Sequence, residues 1–255
     1  MIYVVLGMGR SGTTVVAETL HHSGVDMVEC PHTSNGYDEG GTWERAATKS
    51  VNHELLRSRG VPTLRIPRCP SAPPTQEQSA RMQHIAEDLS RRHADWGFKD
   101  PRTCMTYGWW SRELPEHRLI AVYRPLEECF AHYVAAARGR WWRYISVLVR
   151  CVPQWCYRNT VIADAVERNP DRALLLSYPR LMDGVEELRR LERFIDRTVT
   201  DRRRQDLYRH RACGSIGFRI ACAIHRFRGG AQPCEVERRL ESLRLIAIGK
   251  PSDAG

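Results

Sequence analysis

An unbroken apolar run, Ile2-Tyr3-Val4-Val5-Leu6, opens the chain and stops at Gly7, which is the length and punctuation of a buried strand. After a glycine-rich stretch, Val16 and Leu20, with Val15 beside them, recur at helical spacing and give out near Gly24, predicting an amphipathic helix. Residues 30–42 are polar and turn-rich and read as a loop, followed by a helix over about 43–58. The proline-rich stretch 62–74 is a second loop, and about 75–93 reads as a surface helix. Trp96-Gly97-Phe98-Lys99 predicts a short buried strand, and Asp100-Pro101 carries the cap and first-turn chemistry of a new helix. A clearer strand covers 117–123 and ends at Arg124-Pro125. Helical pattern fills 126–138 and 141–168, a strand follows over 172–177, and a helix over about 180–197. Beyond residue 200 the pattern is weak and no element is assigned.

Strands alternating with helices imply βαβ units, so the expected fold is α/β: one domain, a central parallel sheet flanked by helices, with ligands at the carboxyl ends of the strands. The core is expected over 1–198, with 199–255 a helical extension and tail of the same domain. A length of 255 residues suits one such domain. No apolar run approaches the roughly 18 residues of a membrane span. The first strand has no basic leader, so the expected location is the cytoplasm. Nine cysteines without a Cys-x-x-Cys pair or His/Cys ligand spacing predict neither disulfides nor structural zinc.

A formal net charge of +9 invites a polyanion, but the arginines are scattered and not interleaved with aromatic residues on one stretch, which argues against a nucleic-acid module. The densest run, Arg202-Arg203-Arg204 with Arg209 and Arg211, alternates with Asp201 and Asp206 and reads as a solvated helix face. More telling is that only three of the 39 basic residues are lysines, Lys49, Lys99 and Lys250. Lys99 stands at a strand end, where a compact ammonium can do what a planar guanidinium cannot.

Gly7-Met8-Gly9-Arg10-Ser11-Gly12-Thr13-Thr14 has the spacing of a phosphate-binding loop between strand and helix. Its glycines let successive N–H groups turn toward an anion, and the helix adds its positive end. A nucleoside triphosphatase would place lysine after the second glycine and a hydroxyl for Mg²⁺ next. Here Thr13 occupies the lysine position, and the loop's one cation is Arg10. Such a loop suits a phosphosulfate held without metal by Gly9, Arg10, Ser11, Gly12, Thr13 and Thr14. A phosphotransferase, such as a kinase with a degenerate loop, is the alternative.

With these residues in view, the chain resembles the sulfotransferases that use 3′-phosphoadenosine 5′-phosphosulfate, close to a bacterial group whose loop reads G-M-x-R-S-G-T-[ST]. Trp96-Gly97-Phe98-Lys99-Asp100-Pro101-Arg102 is similar to that group's W-G-[WF]-K-D-P-R segment, and Arg124-Pro125-Leu126-Glu127 to its R-x-P-L-E. Asn35-Gly36-Tyr37, Trp43-Glu44 and Asn52-His53-Glu54 resemble its acceptor-side loop and helix, and Leu174-Leu175-Leu176-Ser177-Tyr178 its late strand. The resemblance covers roughly residues 1–198. It implies that Arg124 binds the donor's 3′-phosphate. The family's Ser, eight positions after that Arg, is His132 when counted from Arg124, and Ala131 when counted from the proline.

Sulfuryl transfer requires a base for the acceptor hydroxyl and a cation for the leaving phosphate. Lys99 with Arg10 is assigned the second role. The resemblance points to Glu44 for the first, with His32 and His53 as competitors. Asp100 and Arg102 read as a cap and a brace. Trp141-Trp142 and Trp155-Cys156-Tyr157 read as core or as the wall of an acceptor pocket. The acceptor expected is a hydroxyl-bearing small molecule, sugar or natural product, and the chain a monomer or homodimer.

Overall fold

A computed structural model of the chain describes residues 1–30, 42–66, 68–69, 72–137, 139–205, 208 and 214–246. Four parallel strands form its sheet: β1 (Ile2–Leu6), β2 (Trp96–Lys99), β3 (His117–Tyr123) and β4 (Ala173–Ser177), in the order β2-β1-β3-β4. The register pairs Val5 with Lys99 on one side and with Ile120 on the other, and Tyr123 with Ser177. Parallel strands in this register bring Leu6, Lys99, Tyr123 and Ser177 to one edge. The chain leaves β1 for β2 on one side and β3 on the other, so a crevice opens at the carboxyl end of β1.

Side chains alternate across a strand, which divides the core into two layers. Ile2, Val4, Leu6, Phe98, Leu119 and Leu175 point to one face. There they pack with α2 (Ala46–Leu55), α3 (Gln76–Arg92), α4 (Thr103–Glu113), α5 (Leu126–Ala136) and α6 (Trp141–Glu167). Tyr3, Val5, Ile120, Val122, Leu174 and Leu176 point to the other. They meet Val16 and Leu20 of α1 (Thr13–His22), and Leu191 and Ile195 of α8 (Glu186–Ile195). α3 starts where Thr75 Oγ1 accepts the Gln78 N–H at 3.2 Å and Gln78 Oε1 accepts the Thr75 N–H at 2.9 Å, a reciprocal cap.

Several expected elements change. The helix read over 43–58 begins only at Ala46, because Arg45 at its N-cap is extended. The buried Arg45 guanidinium donates to Asp26, Glu29 and the Gly97 carbonyl, so it ties the segment to β2 rather than to the helix. The helix read over 180–197 is two, α7 (Tyr178–Asp183) and α8, parted at Gly184. Arg202-Arg203-Arg204 is no helix face. Arg203 grips Asp201 and the Leu181 carbonyl, and Arg202 reaches Glu18. Arg209 and Arg211 lie outside the described residues. The unassigned tail forms α9 (Ile216–Phe227), packed on α6, and α10 (Pro233–Ile246), packed on α6 and β4. α10 is also joined to α8, where the buried Arg190 donates to the Arg244 carbonyl and Arg244 pairs with Glu187, both bonds in the interior.

Candidate active site

The loop after β1 owes its shape to its small residues. A side chain on Gly7 would strike Ser11 and Thr13, and Gly12 lies at φ 92°, left-handed, with the Tyr178 ring against it. Arg10 also sits left-handed, at φ 75°, a position disfavoured for any residue with a Cβ. Ser11 is buried, with its N–H and its hydroxyl both bonded to the Met8 carbonyl, at 3.1 and 2.6 Å. Its hydroxyl therefore braces the turn and does not face the crevice. Gly12 caps α1 without a side chain, leaving the first N–H groups of the helix open to an incoming anion.

Gly9, Arg10, Gly12, Thr13 and Thr14 line a cavity of about 840 Å³ at the carboxyl edge of the sheet. Glu44, Lys99, Arg124 and His132 line the same cavity, whereas Ser11 lies beneath it. Lys99, only 2% exposed, aims its ammonium at Thr14 Oγ1, 3.2 Å away, and at the Thr42 carbonyl. The Glu44 carboxylate lies 3.7 Å from Lys99 Nζ and 2.6 Å from Lys49 Nζ. Two of the chain's three lysines thus converge on the carboxylate. Glu44 was expected in the first turn of a helix. It precedes the N-cap instead, and these ion pairs hold it.

Asp100, next to Lys99, is buried and fixed. Its Oδ1 accepts from the Arg102 N–H and guanidinium, both at 2.9 Å, and its Oδ2 from Asn52 at 3.2 Å. Asn52 also donates to Thr103 and accepts from Thr106 and Trp110, which locks α2 to α4 behind the strand end. Asp100 caps the turn at 101–102, one step ahead of the helix start at Thr103.

Arg124 emerges from β3 into a cage. It pairs with Glu128 at 2.8 Å, donates to the Arg10 carbonyl at 3.4 Å, and stacks on Tyr178 with 4.9 Å to the ring centre. The guanidinium therefore ties the phosphate loop to the start of α7 as well as facing the cavity. Burial pushes the Tyr178 hydroxyl pKa up, and Arg124 opposes that shift. Of the two positions left open by spacing, His132 lines the cavity, whereas Ala131 is buried.

Among the competing bases, His53 belongs elsewhere. It contacts Ser58 at 3.2 Å and lines a separate cleft, and burial lowers its pKa. His32 lies outside the described residues, as do Asn35, Gly36 and Tyr37. Trp155 is core, its indole N–H on the Arg124 carbonyl. Trp141 and Trp142 are exposed, which overturns the core reading for them, and Trp142 reaches the cavity wall.

Other lining residues carried no sequence signal. Tyr133 donates its hydroxyl to the Gly9 carbonyl at 3.1 Å, and its burial raises its pKa. Arg65, Arg143 and Lys49 add cations to the wall. In an Arg-rich chain the two arginines were indistinguishable from surface charge. Behind them the buried Arg158 donates to the Thr63 and Pro101 carbonyls, at 2.8 and 3.3 Å, bracing two wall segments at once.

Comparison with known proteins adds a second line of observation. The model of a family described as the sulfotransferase family matches residues 3–201. The sulfotransferase domain from the curacin biosynthetic pathway is similar in structure, with a TM-score of 0.50, 13% identity, and coverage of 95% of this chain and 96% of that one. The sulfotransferase domain from the Synechococcus PCC 7002 olefin synthase also has a TM-score of 0.50, with 14% identity and coverage of 96% and 93%. Likeness at this identity is likeness of fold. No curated protein matches the chain.

Proposed function

The chain belongs to the sulfotransferase family, and on that premise we propose that it moves a sulfuryl group from 3′-phosphoadenosine 5′-phosphosulfate to the hydroxyl of a small-molecule, sugar or natural-product acceptor. The observation that carries this reading is the meeting of Lys99, the α1 amino terminus and Glu44 at one edge of the cavity. Arg10 and the N–H groups of Gly12, Thr13 and Thr14 hold the 5′-phosphosulfate, while Arg124 and His132 receive the 3′-phosphate. The acceptor oxygen attacks sulfur, and the bond from sulfur to the bridging phosphate oxygen breaks. Glu44 takes the hydroxyl proton, and Lys99 meets the charge that grows on the departing phosphate. A cation already in place needs no reorganisation as that charge develops. Lys49 pairs with Oε2 of Glu44, so in this reading Oε1 takes the proton of the acceptor hydroxyl.

Thr13 in the lysine position also favours metal-free handling of the donor, because the loop lacks the P-loop lysine and Lys99 comes to Thr14 from the neighbouring strand instead. The test is incubation with sulfur-radiolabelled donor, EDTA and a panel of hydroxyl compounds. Label in an acceptor with equimolar adenosine 3′,5′-bisphosphate supports the assignment. Transfer from ATP-Mg²⁺ and none from the phosphosulfate would make the protein a kinase.

A further inference from the structure

One surface has a composition that the catalytic reading does not use. The chain has 30 acidic residues, yet none falls in residues 129–163 or 207–234. The first stretch contains the amino-terminal turns of α6 and the second contains α9. At the start of α6, Trp141, Trp142, Tyr144 and Ile145 are all exposed, Trp141 by 71%. Along α9, Ile216, Ile220, Ala223 and Phe227 recur at spacings of four, three and four and form a single outer stripe. Ile216 is 76% exposed and Phe227 94%. The opposite face of α9, through Phe218, Ala221 and His225, is the one turned inward. α9 is therefore apolar on both faces, and its outer one has no partner among the described residues. The two exposures adjoin where a Cβ on Gly217 would come within 3.4 Å of Tyr144 Cζ. Arg140, Arg143 and Arg150 accompany the first, and Arg219, Arg226 and Arg228 the second.

We propose that the amino-terminal turns of α6 and the outer stripe of α9 form a peripheral docking surface for an anionic lipid bilayer. Exposed indoles and branched aliphatic side chains mixed with arginine suit the headgroup boundary, where apolar bodies insert and guanidinium groups stay with phosphates. The arginines of these two stretches, with no acid inside either, are complementary to a negative surface, and Glu127 and Glu237 approach α9 at Cys222, off the outer stripe. A second copy fits less well, since a two-fold contact through this patch would set the same arginines against each other. The side chains also stand out from the surface, as insertion requires. No described helix is long and apolar enough to cross a membrane, so attachment is on the bilayer and not through it. Trp142 and Arg143 line the catalytic cavity, so docking here sets its mouth at the headgroups.

The test is co-sedimentation of the full chain with vesicles of phosphatidylcholine plus phosphatidylglycerol, against phosphatidylcholine alone. It uses neither donor nor acceptor, so it stands or falls separately from sulfuryl transfer. The expected result is binding on the order of tenfold tighter to the anionic vesicles, weakening with salt. A Trp141→Ser/Ile216→Ser/Phe227→Ser variant is expected to lose on the order of 10²-fold, from the apolar area withdrawn from the interface. Should that variant fold poorly, brominated lipid supplies a second readout. Trp141 and Trp142 are the exposed tryptophans, and their emission in the wild type should be quenched on anionic vesicles. Equal binding by variant and wild type, or absence of both sedimentation and quenching, would overturn the proposal. A dimer that the triple substitution turns into a monomer, without vesicle binding, would assign the patch to a second copy.

Discussion

Gly12→Ala probes the joint between loop and sheet. The new Cβ would lie 2.7 Å from Tyr178 Cγ and nearer still to the ring edge, so the ring has to swing away. The backbone at φ 92° adds the left-handed penalty of about 1–2 kcal/mol for a residue with a Cβ. Moving the ring also breaks its stacking on Arg124, worth about 0.5–2 kcal/mol at a half-buried site. The sum is a loss of about 1.5–4 kcal/mol, or roughly 3–16 °C in Tm for a chain of this size. Because Arg124 also bonds the Arg10 carbonyl, affinity for adenosine 3′,5′-bisphosphate should fall on the order of tenfold or more. Urea midpoints for Gly12→Ala, Tyr178→Ala and the double variant isolate the clash. With the ring gone, the added methyl should cost only the backbone share, about 1–2 kcal/mol. Additivity within about 0.5 kcal/mol would refute the reasoning, because the ring would then play no part in the damage.

Lys99→Met should lower kcat by about 10²-fold with little change in donor KM, and Lys99→Arg should not restore it, since Thr14, Thr42 and Glu44 enclose a site sized for an ammonium. Wild-type turnover by Lys99→Arg would defeat this view of the site. Glu44→Gln keeps the shape and removes the proton acceptor, so bisphosphate affinity should persist while turnover falls by about 10²-fold or more. Near-normal turnover would take the base role from Glu44. Burial lowers the His117 pKa, and the ring is satisfied as the neutral form between Pro115 and Tyr107. The unfolded chain therefore binds more protons just below its ordinary value, and stability should fall as pH drops from about 7 toward 5. His117→Gln should flatten that part of the urea profile, and an unchanged slope would place the effect elsewhere.

The sheet was legible because each strand is a short apolar run ending at a residue with a clear stop signal, such as Gly7 or Arg124-Pro125. Parallel pairing then brings Arg10, Lys99 and Arg124 to one edge. What escaped was set by contacts distant in sequence. Glu44 looked like a first-turn acid, but its neighbour Arg45 is spent on Asp26 and Gly97, 19 and 52 residues away, and the helix starts later. α9 left no readable stripe because Phe218 and Ala221 face inward while Ile216, Ile220 and Phe227 face solvent, so apolar residues surround the helix. Tyr133 is one residue past His132 and gave no motif, and only the packing of α5 brings its hydroxyl to Gly9.

The central claim is that this cavity takes a 3′-phosphorylated adenosine nucleotide as a sulfuryl donor. Titration calorimetry with adenosine 3′,5′-bisphosphate, AMP and ATP, each with Mg²⁺ and with EDTA, tests it most directly. The bisphosphate should bind more tightly than AMP, with the same affinity in EDTA as in Mg²⁺. ATP binding more tightly than the bisphosphate, and only with Mg²⁺, would contradict it.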